Sequence, residues 1–184
     1  MVVTRTPSTH WLICSAATLV AMMSLAVTGA ASASARTAAT SFSFTSPSGD
    51  YIGGGVSESF TPEDAAFTLY HGSYEDPATR HGLTVYVNAT NGEWWYISIA
   101  PAQGQLLKRG TFTATRWPFQ EGPNAGFDAS GDGRGCNMSY STFTIAQLTV
   151  RRGAITRLDA TFTQHCESPT APPMTGRVEV NATR

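Results

Sequence analysis

Three groups of side chains are of types that could do chemistry, and the first is an aromatic strand. In Glu93–Ile99 the order is Glu-Trp-Trp-Tyr-Ile-Ser-Ile. Successive side chains of a strand point to opposite faces, so Trp95, Ile97 and Ile99 read as core while Trp94, Tyr96 and Ser98 share the other face. Tyr86 joins that second face if its own stretch pairs with this one. Flat rings on an outer surface bind sugars through the apolar C–H faces of the pyranose, whereas the same rings under a loop or a second sheet are buried packing. The second group is Asp128-x-Ser130-x-Asp132-Gly133, with oxygen side chains at alternate positions before a glycine, as calcium loops have them. It lacks the closing bidentate glutamate, since Ser139 stands at that position, and Arg134 adds a positive charge. The expectation is therefore no cofactor, with calcium as the alternative and a glycine-rich hairpin that positions Cys136 as the structural reading.

The third group is acid–base. His71, His81 and His165 stand at none of the short spacings of zinc signatures, and His165, beside Cys166 at a strand end, reads as a structural hydrogen-bonding residue. No G-x-S-x-G occurs, and no cysteine or serine has recognisable partners. Scattered acids such as Glu58, Glu93 and Glu121 would leave no trace in spacing even if the fold brought two of them together. No catalytic residue is assigned, and a hydrolase with an unrecognised site stays open as an alternative.

The elements that must position these residues begin after a leader. Arg5 is the only charge before Arg36, and between them an apolar run from Trp11 to Val27 ends in the small residues Gly29 to Ala35. This is the pattern of a secretory signal peptide, with cleavage expected after Ala35. About 17 apolar residues diluted by Ser, Thr and Ala are short for a hydrocarbon core of roughly 30 Å, so no stable membrane insertion is expected after cleavage. Cys14 lacks the small residues that precede a lipid-modified cysteine. The expected organisation is a signal peptide at 1–35, a flexible leader at 36–40 and a single β-sandwich domain at 41–184. Of the 12 basic residues one, Arg5, lies in the leader, so 11 face 13 acidic residues in the remainder, a formal charge of −2. That excludes a basic nucleic-acid surface. Cys136 and Cys166 are the two cysteines left after export, and an even pair in an oxidising compartment predicts a disulfide.

The remainder breaks into short apolar or alternating stretches punctuated by Gly, Pro, Asn and Asp, which is the grammar of strands. Phe42 and Phe44 share one face of Ser41–Thr45, and Phe67 and Leu69 one face of Ala66–His71. Leu83, Val85 and Val87 alternate up to Asn91-Gly92, a hairpin signal leading into Glu93–Ala100. If that turn has two residues, Ala89 lies close to opposite Trp94 and Tyr86 comes within cross-strand reach of Tyr96. Phe112 marks a further strand, Phe143 to Val150 another, Ile155–His165 returns from a turn at Arg152-Gly153, and Met174–Val180 is the last. Thr61–Ala65 could form one helical turn with Thr61 as cap. Eight or nine strands without an amphipathic helix predict an all-β fold, an antiparallel two-sheet β-sandwich of jelly-roll or Ig-like type.

Five phrases occur together: Ser48-Gly49-Asp50-Tyr51-Ile52-Gly53-Gly54-Gly55, Ala100-Pro101 followed by Gly104, Arg116-Trp117-Pro118-Phe119-Gln120, Ser130-Gly131-Asp132-Gly133-Arg134-Gly135-Cys136-Asn137 and Phe162-Thr163-Gln164-His165-Cys166-Glu167. Together they resemble an uncharacterised family of secreted bacterial β-domains with GDYIGGG, GRGCN and FxQHCE phrases. The resemblance covers the chain after the leader and implies an exported, disulfide-linked β-domain, with no catalytic residues to carry over. The functional expectation is a secreted, extracellular, non-enzymatic module binding polysaccharide through Trp94, Tyr96 and Tyr86. A protein-binding or inhibitor domain on the same scaffold is the alternative.

Overall fold

A computed structural model describes residues 37–71, 82–115 and 123–183. The expected signal peptide, His81, Glu121 and the Arg116–Gln120 phrase lie outside the described residues. Ala35–Arg184 form one compact unit. Its ten strands are β1 (Ala38–Thr45), β2 (Ser57–Phe60), β3 (Ala65–His71), β4 (Leu83–Ala89), β5 (Trp94–Ala100), β6 (Gly110–Thr115), β7 (Ala125–Gly131), β8 (Ser139–Arg151), β9 (Ala154–Cys166) and β10 (Pro173–Thr183). They form one continuous sheet in the order β2-β1-β10-β9-β8-β6-β7-β5-β4-β3. The sheet curls into a nearly closed barrel, so the expected pair of stacked sheets is replaced by one sheet whose ends, β2 and β3, approach each other. All neighbours are antiparallel except β6 and β7, which touch over two parallel pairs.

Aromatic side chains build the interior. A short motif with Ser or Thr, then Phe, then Thr occurs at Ser43-Phe44-Thr45, Ser59-Phe60-Thr61, Thr111-Phe112-Thr113, Thr142-Phe143-Thr144 and Thr161-Phe162-Thr163. Period-two alternation sends each phenylalanine inward and leaves the β-branched threonines on the outer face, where their stiff side chains suit a pleated surface. Register then lines up Phe112, Phe143, Phe162, Gly176, Phe44 and Glu58 across six adjacent strands. Gly176 belongs in this belt because a Cβ there would fall 2.4 Å from Phe162 Cζ. The belt ends on a carboxylate at the seam of the barrel.

The leader expected to be flexible is in part strand. Residues 38–40 extend β1, pairing Ala38 with Thr183 and Ala39 with Ala182. Thr61–Ala65 makes the expected single turn: Ala65 N donates to Thr61 O at 2.9 Å, and Glu63 N donates to Thr61 Oγ1 at 3.3 Å.

Cys136 and Cys166 are bonded, with Cα atoms 5.3 Å apart and a sequence separation of 30. Ser139 pairs with Cys166 at the start of the β8–β9 ladder, so the bridge closes the end of a hairpin already formed. Cross-linking a loop of this length removes about 3 to 4 kcal/mol of unfolded-state chain entropy. Reduction should lower the unfolding free energy by that amount. Denaturant titration with and without reductant measures it, and free thiols in the non-reduced protein by mass spectrometry would overturn the pairing.

Candidate functional site

Strands β4 and β5 present the aromatic surface. The hairpin between them closes with Ala89 N donating to Glu93 O at 2.8 Å and Gly92 N donating to Ala89 O at 3.1 Å. Gly92 has φ +97°, so the loop contains three residues, Thr90 to Gly92, with glycine in the left-handed position such a loop requires. The register is therefore one residue from that of a two-residue turn. Asn88, not Ala89, faces Trp94, and Tyr86 stands directly opposite Tyr96. A slip of one would have put Tyr86 on the other face from Tyr96.

The Tyr86 and Tyr96 rings stack at 4.7 Å, and Trp94 meets Tyr96 edge-on at 5.5 Å. Tyr96 is 39% exposed and Tyr70 on β3 is 50% exposed, while Trp94 and Tyr86 are half-buried. Trp95, Ile97 and Ile99 fill the inner face as expected. Polar groups frame the rings. Ser130 lies opposite Tyr96 and Thr68 opposite Tyr86. The neighbouring row runs Tyr70, Thr84, Ser98 and Asp128, with the Thr84 and Ser98 hydroxyls 2.9 Å apart.

Asp128 and Ser130 do not lie in a loop. They belong to β7 and alternate with the inward Phe127 and Ala129, which spreads them along an extended strand. Asp132 begins the turn beyond it, at φ +49°. Its Oδ1 accepts from Trp94 N at 3.1 Å, and its Oδ2 lies 3.9 Å from Arg134. The triplet is thus laid out along the sheet, and Asp132 holds the start of the aromatic strand. Among the described residues no group of three or more His, Cys, Asp and Glu stands in a metal-holding arrangement. His165 Nδ1 lies 2.6 Å from Ala171 O, and His71 Nδ1 accepts from Ile155 N at 3.4 Å.

Three of the phrases, GDYIGGG, GRGCN and FxQHCE, are joined to one another. In the first, Asp50 Oδ2 accepts from Ser46 Oγ at 2.6 Å and from Gly53 N at 2.9 Å, which folds the glycine loop around a buried carboxylate. A Cβ on Gly53 would fall 2.3 Å from Ser46 Cβ. The loop carries Ile52 into the core. Arg134 Nε donates to Ile52 O at 2.7 Å and its guanidinium lies 6.0 Å from the Trp95 ring, so the GRGCN phrase latches the GDYIGGG phrase. Cys136 bonds Cys166, and Glu167 accepts from Asn137 N, which ties in the third.

Two acids that spacing did not connect meet beside this end. Glu58 on β2 and Glu93 after the β4–β5 loop line one cleft of about 270 Å³, together with Asp64, Phe60 and Asn91. The Glu58 Oε2 atom is buried without a donor. Burial first, then the charge of Glu93, a hydrogen bond to the Glu93 carboxyl and the charge of Asp132 hold the Glu58 carboxyl above its ordinary range, against the lowering effect of Arg134. By contrast the buried Asp159 is fully paired: Arg177 donates Nε and Nη2 to its two oxygens, both at 2.9 Å, and lies 3.1 Å from Glu179. Comparison with protein-family models, curated proteins and solved structures returns no match.

Proposed function

We propose that this is an extracellular, non-enzymatic module that binds polysaccharide through the outer face of β4 and β5. The observation that carries the reading is the Tyr86–Tyr96 stack with Trp94 edge-on beside it, on the solvent side of the hairpin. Stacking uses one face of each tyrosine. Ser130 flanks Tyr96 and Thr68 flanks Tyr86 on the neighbouring strands, so a sugar ring set against the tyrosines would meet an apolar surface with hydroxyls around it. Aromatic side chains carry a large apolar area at small entropic cost, and a few placed polar groups then fix orientation. The export leader and the disulfide support a place outside the cell.

Trp94→Ala should leave the unfolding free energy within about 1 kcal/mol of wild type, as expected for a surface truncation. It should also weaken retention on cellulose, chitin or peptidoglycan in a pull-down assay. No retention of the wild type on any of these would defeat the carbohydrate reading and favour a protein partner. One observation supports that second reading: β3 ends the sheet order, and a terminal strand offers backbone groups to an added strand.

A further inference from the structure

Glu58 is a carboxylate in a position built for a phenylalanine. Its belt neighbours are Phe44 beside it and Phe162 beyond Gly176, and its Oε2 has no donor. It also sits where the barrel is weakest. β2 has only four residues and is hydrogen-bonded on one side, to β1. Across the seam stands the β4–β5 hairpin, linked to the β2–β3 turn by Thr90 N donating to Asp64 O at 2.9 Å. Glu93 comes from that hairpin and lines the same cleft as Glu58. Two ionised carboxyls are acceptors only, so a bond between them requires a proton on one.

We propose that Glu58 and Glu93 form a proton-operated clasp across the seam of the barrel, holding β2 against the β4–β5 hairpin when they share a proton and releasing it when both are ionised. The charged groups around the pair are Asp64 from the β2–β3 turn and Asp132 and Arg134 from the β7–β8 connection. Asp50 of the β1–β2 loop is held within its own loop by Ser46 and Gly53. Arg134 is the opposing cation, and it is already engaged with Ile52 O and stands near Asp132. Four carboxyls, Glu58, Glu93, Asp64 and Asp132, against one shared guanidinium leave the clasp repulsive once its proton is gone.

The sign follows from Glu58, whose carboxyl is held above the ordinary value of 4.5. A group that binds its proton more tightly folded than unfolded contributes stability fully below its unfolded value, and that stability is lost as pH rises through the folded one. Referring the protection of this segment to that of β9 separates the local effect from a change in global stability.

The test is amide hydrogen exchange at about pH 4 and about pH 7.5, expressed as protection factors so that intrinsic exchange chemistry cancels. In wild type, protection across residues 57–65 should fall toward the higher pH relative to β9. The fall is about tenfold for each unit by which the folded carboxyl exceeds the unfolded one. Glu58→Gln copies the protonated form and should keep the segment protected at both pH values, and Glu93→Gln should do the same from the other side. If wild-type protection there does not change with pH, or if both variants keep the wild-type dependence, the clasp is overturned.

Discussion

Truncating Trp95 to alanine should cost about 3 to 5 kcal/mol of folding free energy, the range for removing a large aromatic from a packed core. Trp95 is 1% exposed, and its ring lies 4.7 Å from that of Phe44 and 5.8 Å from that of Phe42. These contacts run across the barrel, from β5 to β1, so the indole ties together strands far apart in sheet order. Gly131 makes the room: a Cβ there would stand 2.4 Å from Trp95 Cε3. Interior atoms packed this closely do not collapse into the space a deleted indole leaves, so the loss includes a cavity as well as lost burial. Urea titration of Trp95→Ala beside Trp94→Ala gives the measurement. A single position in the chain separates the two, and their costs should differ several-fold because one ring faces inward and the other outward. Equal costs would mean that β5 is buried on both faces, and the polysaccharide reading would fall with that result.

The inner and outer faces of β5 were legible because alternation in Glu93–Ile99 depends only on the pleat. The disulfide was legible because two cysteines leave one pairing. How the sheet closes was not legible. Alternation says which residues face a core but not whether that core lies between two sheets or inside one curled sheet. β7 was missed for a physical reason. Its Ala125, Gly126, Ala129 and Gly131 have low strand propensity, yet small residues are what the Trp95 ring lying on this strand demands. β2 escaped notice because Ser-Glu-Ser-Phe carries a single apolar residue. The register of Tyr86 against Tyr96 depended on one residue of loop length, and the Glu58–Glu93 pair on two loops folding toward each other. Neither leaves a mark in local spacing. The repeated phenylalanine flanked by Ser or Thr was the available sign of strands that turn the same kind of face inward, since it fixes that face in each.

Replacing Gln164 with leucine should destabilise the barrel by about 2 to 6 kcal/mol, since two buried backbone groups lose their partners at about 1 to 3 kcal/mol each. Strand β7 is laddered to β5 along its length, but on its other side it meets β6 only at Ala125 and Gly126. Beyond that short parallel contact no strand among the described residues is laddered to this side of β7. Gln164, fully buried on β9, supplies what the missing strand would. Its Oε1 accepts from Ala129 N at 2.8 Å and its Nε2 donates to Ala129 O at 2.9 Å, the donor and acceptor pattern of a peptide group. The same Nε2 lies 3.5 Å from Cys136 Sγ, so the amide is fixed beside the disulfide. Leucine keeps similar bulk and removes both bonds, which separates hydrogen bonding from packing. Gln164→Glu offers a second comparison, because an ionised carboxylate can accept from Ala129 N but cannot donate to Ala129 O. It should be destabilised at neutral pH and recover in part as pH falls and the carboxyl becomes a donor. Denaturant titration of both variants, with exchange at the Ala129 amide, reads the effect directly. A loss under about 1 kcal/mol in Gln164→Leu would show that water replaces the amide, and that β7 does not depend on β9 for its closure.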